Sequence, residues 1–237
     1  MKITETLVPY AEGADRFDAL VARPDTSTPR PAVVVCHAWG GRDAFAEARA
    51  RNLAELGYVG VAIDLYGVGK RGTDRDSSAA LMQTLVADPA LFRRRLRASF
   101  EAARALPGVD SERVGAIGFC FGGLAALLAA RMGLPLRAVV SFHALLKIGV
   151  PLDEIVHAKL LVLHGQDDPM APTADVAAFA AEMKRVNADW TLHAYPRVMH
   201  AFTNPQANDP AFGTVYDADA DRRSWIEMRQ FFETWLA

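Results

Sequence analysis

The chain has 237 residues, of which 51% are hydrophobic and 23% charged, and its formal net charge is -2 at pH 7. That length suits one domain over residues 1–237 with a large core, and the near-neutral balance excludes the one-signed surface that nucleic acid or an anionic membrane would require. The first segment alternates and carries acids, no later run approaches the roughly 20 apolar residues of a membrane span, and Cys36 and Cys120 do not suggest a disulfide framework, so a soluble, cytoplasmic, monomeric protein is expected.

In chain order, short alternating stretches near Thr6 and Phe17 predict a hairpin, followed by a Pro/Ser/Thr loop from Pro24 to Pro31. Continuous apolar runs at 32–36, 58–64, 113–119, 137–142 and 159–164 have the pattern of parallel strands covered on both faces. Amphipathic stretches at 43–56, 89–106, 124–132, 173–186 and 219–236 predict helices, the second with Asp88 as N-cap and Pro89 at its first position. Residues 70–76, which include Arg71 and Arg75, read as a loop, and the arginines of 93–97 as an exposed basic helix face. Strands alternating with helices imply a mostly parallel central sheet with helices on both faces.

Ligands of such sheets bind beyond the carboxyl ends of the strands, where this sequence places His37, Asp64, Cys120, His143, Asp167, Asp168 and His200. Cys120 lies in Gly-Phe-Cys-Phe-Gly, residues 118–122, and a strand turning sharply into a helix through this pattern lifts its middle side chain above the sheet. The helix that follows would aim its N-terminal amides at the sulfur, and the N–H of Phe121 would be one oxyanion donor. A structural cysteine before an ordinary glycine-rich turn is the competing reading. Against it stand an acidic loop at 164–169 and a histidine at 200, because nucleophile, acid and histidine follow in the chain order of α/β-hydrolases.

Five stretches, VVCHAWGG (34–41), AIDLYG (62–67), GFCFGG (118–123), HGQDDPMAP (164–172) and MHAF (199–202), together resemble the dienelactone hydrolase family, a branch of the α/β-hydrolase fold with cysteine in the elbow. The resemblance implies Cys120 as nucleophile, His200 as base, Asp168 rather than Asp167 as the acid, and Ala38 as the second oxyanion donor. It implies a small-molecule ester or lactone substrate, cleaved through a thioester. Two positions depart from the family pattern. His37 stands where a glutamate holds the resting thiol, and Asn204 stands where an arginine clamps the dienelactone carboxylate, so a substrate other than dienelactone is expected.

Around the elbow, Trp39, Phe45, Tyr66, Phe121, Phe142 and Phe202 fall on or beside strand-end loops, and about half are expected to line the site. His37, Trp39, Tyr66, Phe142, His143 and Phe202 are the candidate substrate-binding residues. His164 is expected to bond backbone beneath the acidic loop, and His157 and His193 to be structural or exposed. No spacing of histidines or cysteines suggests a metal, and no cofactor is expected. A glutamine amidotransferase would follow its elbow cysteine with a His-x-Glu pair, which is missing here. A non-catalytic binding protein on a hydrolase fold is the second rival.

Overall fold

The apolar runs assemble into one eight-stranded sheet. In the computed structural model, which describes residues 2–147 and 155–236, β1 (Ile3–Glu12) and β2 (Asp15–Pro24) form an antiparallel hairpin. The strands β3 (Arg30–Cys36), β4 (Val59–Ala62), β5 (Val109–Phe119), β6 (Ala138–Phe142), β7 (Lys159–Gly165) and β8 (Trp190–Tyr195) run parallel to one another. Strand order is β1-β2-β4-β3-β5-β6-β7-β8, with β2 antiparallel to β4.

Period-2 alternation of side chains explains why the central runs are apolar throughout. Val33 and Val35 of β3 pack with Leu53 of α1 (Ala44–Glu55) and with Met228 and Phe232 of α6 (Ala218–Trp235). Val34 and Cys36 face the opposite way, toward Leu85 of α2 (Arg75–Val86), Leu96 of α3 (Pro89–Arg104), Leu127 of α4 (Phe121–Arg131) and Phe179 of α5 (Thr173–Arg185). Cys36 is fully buried, and burial pushes its thiol pKa far up. Among the described residues, no helix is long and apolar enough to cross a membrane.

Two local expectations are corrected. The segment expected to be a loop at 70–76 contains the start of α2, a helix absent from the sequence reading. Asp74 caps it by accepting from the Ser77 N–H at 2.8 Å, while the Ser77 hydroxyl reaches back to the Asp74 backbone. The arginines of α3 do not form one exposed face either. Arg95 is buried, donates to the Leu65 carbonyl at 2.9 Å and pairs with Asp15 at 2.7 Å, tying the helix to the β1–β2 turn and to the segment after β4. A short hairpin of β9 (Asn208–Asp209) and β10 (Thr214–Val215) follows the histidine loop.

Candidate active site

Cys120 sits between the end of β5 and the start of α4 with φ 57° and ψ -118°, a conformation that side chains rarely adopt. The surrounding glycines make this turn possible. A Cβ on Gly118 would lie 1.9 Å from the Gly122 carbonyl oxygen, and one on Gly122 would lie 2.1 Å from that of Cys36. The Cys120 N–H donates to the Phe142 carbonyl and to Nδ1 of His143, each at 3.1 Å, which extends the β5–β6 ladder into the elbow. As the first residue of α4, Phe121 has no intrahelical acceptor for its own N–H.

The loop after β8 carries His200, and its backbone is bonded into the hairpin beyond it. His200 N–H donates to Gly213 O, and Val215 N–H donates to His200 O, both at 3.0 Å. On the ring, Nδ1 meets Oδ2 of Asp168 at 2.7 Å, with both side chains almost entirely shielded from solvent. The other Asp168 oxygen accepts the Met170 N–H at 2.8 Å, so the turn after β7 fixes the carboxylate, whereas Asp167 is exposed. Nε2 of His200 is buried and has no hydrogen-bond partner among the described residues. Burial opposes charge on this ring, but the Cys120 sulfur and the Asp168 carboxylate outweigh it and push its pKa up to about 10. The pairing of Nδ1 with a carboxylate directs Nε2 toward the thiol side.

Several candidate residues lie elsewhere than expected. His37 is fully buried: its Nδ1–H donates to the Ala38 carbonyl at 2.6 Å and its Nε2 accepts the Leu65 N–H at 3.1 Å. Both ring nitrogens are thereby occupied, and burial lowers its pKa, so it reaches neither thiol nor substrate and instead orients the Ala38 peptide. Tyr66 is buried against His37 and donates to the Trp39 carbonyl at 2.9 Å. Phe142 stacks on Phe119, and Phe202 packs edge-on to Tyr195. His37, Tyr66, Phe142 and Phe202 therefore belong to the packing beneath the site and not to its surface. His164 makes no hydrogen bond through Nδ1, contrary to the backbone contact expected of it. His157 is exposed, and His193 pairs with Glu227 at the surface.

The cavity that opens over Cys120 and His200 has a volume of about 870 Å³. Of the six aromatic candidates only Trp39 and Phe45 line it, joined by Phe119 and Phe212, which sequence reasoning passed over. Ala38, His143, Thr203 and Asn204 also face it. Phe212 stacks on Trp39, Arg75 lies 3.9 Å above the Phe212 ring, and Arg75 pairs with Asp209 at 2.7 Å, so α2 and the β9–β10 hairpin meet over the cavity. Arg75 is thus already engaged by a carboxylate of the chain. Among the described residues no group of three His, Cys, Asp or Glu side chains is disposed to hold a metal ion.

The profile of the dienelactone hydrolase family matches residues 17–236. A crystal structure of a dienelactone hydrolase-like promiscuous phosphotriesterase from metagenomic libraries superposes with a TM-score of 0.92 at 35% identity, covering 100% of both chains. A Bradyrhizobium protein named as a probable 2-oxo-3-(5-oxofuran-2-ylidene)propanoate lactonase is 31% identical, over 78% of this chain and 78% of its own length. The carboxymethylenebutenolidase of Pseudomonas putida is 27% identical, over 87% of this chain and 89% of its own. Because the family profile runs from β2 to the end of α6, and so through every strand that presents a side chain to the cavity, this chain is a member of the dienelactone hydrolase family and a hydrolase.

Proposed function

We propose that the protein hydrolyses small carboxylic esters and lactones through Cys120, His200 and Asp168. The observation that carries this reading is the buried 2.7 Å contact of His200 Nδ1 with Asp168, which leaves Nε2 unpaired on the side of the Cys120 sulfur. In the first step Nε2 of His200 takes the Cys120 proton and the thiolate attacks the carbonyl carbon, forming a C–S bond as the carbonyl π bond opens onto oxygen. The charge that develops on oxygen is held by the N–H groups of Phe121 and Ala38. Collapse breaks the C–O bond, and His200 gives its proton to the departing alkoxide. In the second step His200 takes a proton from water, hydroxide adds to the thioester carbon, and the thiolate leaves as the carboxylic acid forms.

The apolar and aromatic character of the cavity suits an uncharged acyl group. Neither departure from the family pattern restores a clamp for a substrate carboxylate. Asn204 is uncharged, and its Oδ1 already accepts the Gln206 N–H at 3.0 Å. A neighbour that is a promiscuous phosphotriesterase at 35% identity makes aryl phosphotriesters the second substrate class to assay.

Hydrolysis of 4-nitrophenyl acetate by the wild type and by Cys120→Ala, from about pH 6 to about pH 9, tests the reading. The expected result is a loss of roughly 10³-fold or more in the variant and a titrating rate in the wild type. Equal rates above the buffer blank would remove Cys120 from the mechanism, and no hydrolysis by either protein would favour a non-catalytic binding protein.

A further inference from the structure

Beside the elbow, a chain of hydrogen bonds runs from the nucleophile's backbone into the cavity wall. The Cys120 N–H can only donate, so Nδ1 of His143, 3.1 Å away, must carry a lone pair and no proton. Burial and the nearby His200 hold the His143 pKa well below its ordinary value, so the ring is neutral and its single proton lies on Nε2. Nε2–H therefore donates to Oγ1 of Thr203 at 2.8 Å. The direction of every bond is fixed by the first. With its oxygen taken as acceptor, the Thr203 hydroxyl has one proton left to donate, and no acceptor for it occurs among the described residues. Thr203 is 1% exposed yet lines the cavity, and its backbone carbonyl is held by Arg49 at 3.2 Å. The ring of His143 is itself fixed edge-on between His200 and Phe202, at centroid distances of 5.1 and 5.0 Å.

We infer that Thr203 is a specificity-determining residue that donates its hydroxyl proton to an uncharged acceptor oxygen, an ether or a ketone, in the substrate's acyl group, and that His143 is the positioning residue that aims it. A buried donor with no protein acceptor costs free energy whenever an alkyl chain fills the cavity, and an oxygen placed opposite it removes that cost. Discrimination by an unmatched hydrogen-bonding group exceeds what a pocket obtains from size alone. The substrate class is accordingly oxygenated acyl esters and lactones in preference to plain alkyl ones. The inference rests on the cleft at Cys120 being the reaction site.

Two esters of equal length separate this role from a structural one: 4-nitrophenyl butanoate and 4-nitrophenyl methoxyacetate, in which one methylene is replaced by an ether oxygen. The quantity to measure is kcat/KM for the ether ester over kcat/KM for the alkyl ester, each variant referred to the wild type so that intrinsic ester reactivity cancels. In Thr203→Val that ratio is expected to fall about five- to tenfold, the size of one neutral hydrogen bond, and in Thr203→Ser to recover. In His143→Asn an acceptor for the Cys120 N–H is kept while the Nε2 donor is withdrawn, and the same preference is expected to be lost although Thr203 is intact. An unchanged ratio in Thr203→Val, with both esters still hydrolysed, overturns the inference and leaves the assignment of the cleft standing. Failure of the wild type to hydrolyse either ester overturns that assignment and the inference with it.

Discussion

Asp168 decides which nitrogen of His200 carries the proton. Its carboxylate, 2.7 Å from Nδ1, is one of the anions that raise the histidine's pKa, so Asp168→Asn removes both the tautomer lock and part of the stabilisation of the imidazolium. The expected outcome is a fall in kcat of roughly 10² to 10⁴-fold and a His200 titration displaced to lower pH, read from the pH–rate profile of the variant. At this scale the sequence was informative where position on a strand settles the answer. Cys120, Asp168 and His200 each follow a parallel strand, and the sheet edge brings them together. It was uninformative where packing within one sheet face decides. Phe119 and Phe142 are register partners, stacked on each other in the same core cluster, yet only Phe119 also lines the cavity. Nothing in residue type distinguishes the two. His37 likewise could not be assigned until both its nitrogens were seen to be taken by backbone.

The helices were legible to the extent that their caps were. Asp88 with Pro89 marks the start of α3, and the side chain accepts the Leu91 N–H at 2.9 Å. Asp88→Ala should cost about 1 kcal/mol, seen as a drop of about 2–4 °C in Tm, with ester hydrolysis unaffected because Asp88 is exposed and does not line the cavity. A drop in activity without a drop in Tm would show that α3 bears on the site in some other way. By contrast α2 was missed, although Asp74 caps it, because Arg75, Asp76, Ser77 and Ser78 have the composition of a surface loop and the capping partner is serine and not the more recognisable glutamate. The misreading had a functional cost, since Arg75 and Met82 of this helix line the cavity. The arginines of α3 show the same limit: only the packed structure reveals that Arg95 turns inward to Asp15 while Arg94 meets Glu12 on the surface.

Across the whole molecule, the buried histidines tie stability to pH. His37, His143 and His164 are all held neutral, chiefly by burial, with pKa values below the ordinary 6.5. The unfolded chain binds protons at these sites at a pH where the folded protein does not. Stability should therefore decline as pH falls below about 6.5, by about 1.4 kcal/mol per pH unit for each histidine until its folded pKa is reached. His200 has the opposite sign. Its raised pKa contributes stability that is fully present below about 6.5 and is lost as pH rises toward about 10. Urea unfolding at a series of pH values checks both limbs, and a flat profile between about pH 4 and about pH 6.5 would contradict the neutral assignment of the three histidines. The sheet, its parallel centre and its helical layers were readable from the apolar runs because both-face burial leaves a continuous pattern. The roof of the cavity was not, because two-residue strands carry no periodicity.

That roof also sets which parts of the protein can be varied independently. The β9–β10 hairpin is hydrogen-bonded to the backbone of His200 on both sides, so a library that reshapes residues 210–213 to admit new substrates displaces His200 along with the wall. Among the described residues α2 makes no such bond to His200: it meets the hairpin through Arg75, which pairs with the exposed Asp209 and lies over the Phe212 ring, contacts of small energy at a surface. Variation at Met82 changes the shape of the cavity while Cys120 and His200 stay where they are. Laboratory evolution of new specificities should accordingly accumulate accepted changes on α2 first, with changes in the hairpin tolerated only in company with compensating ones.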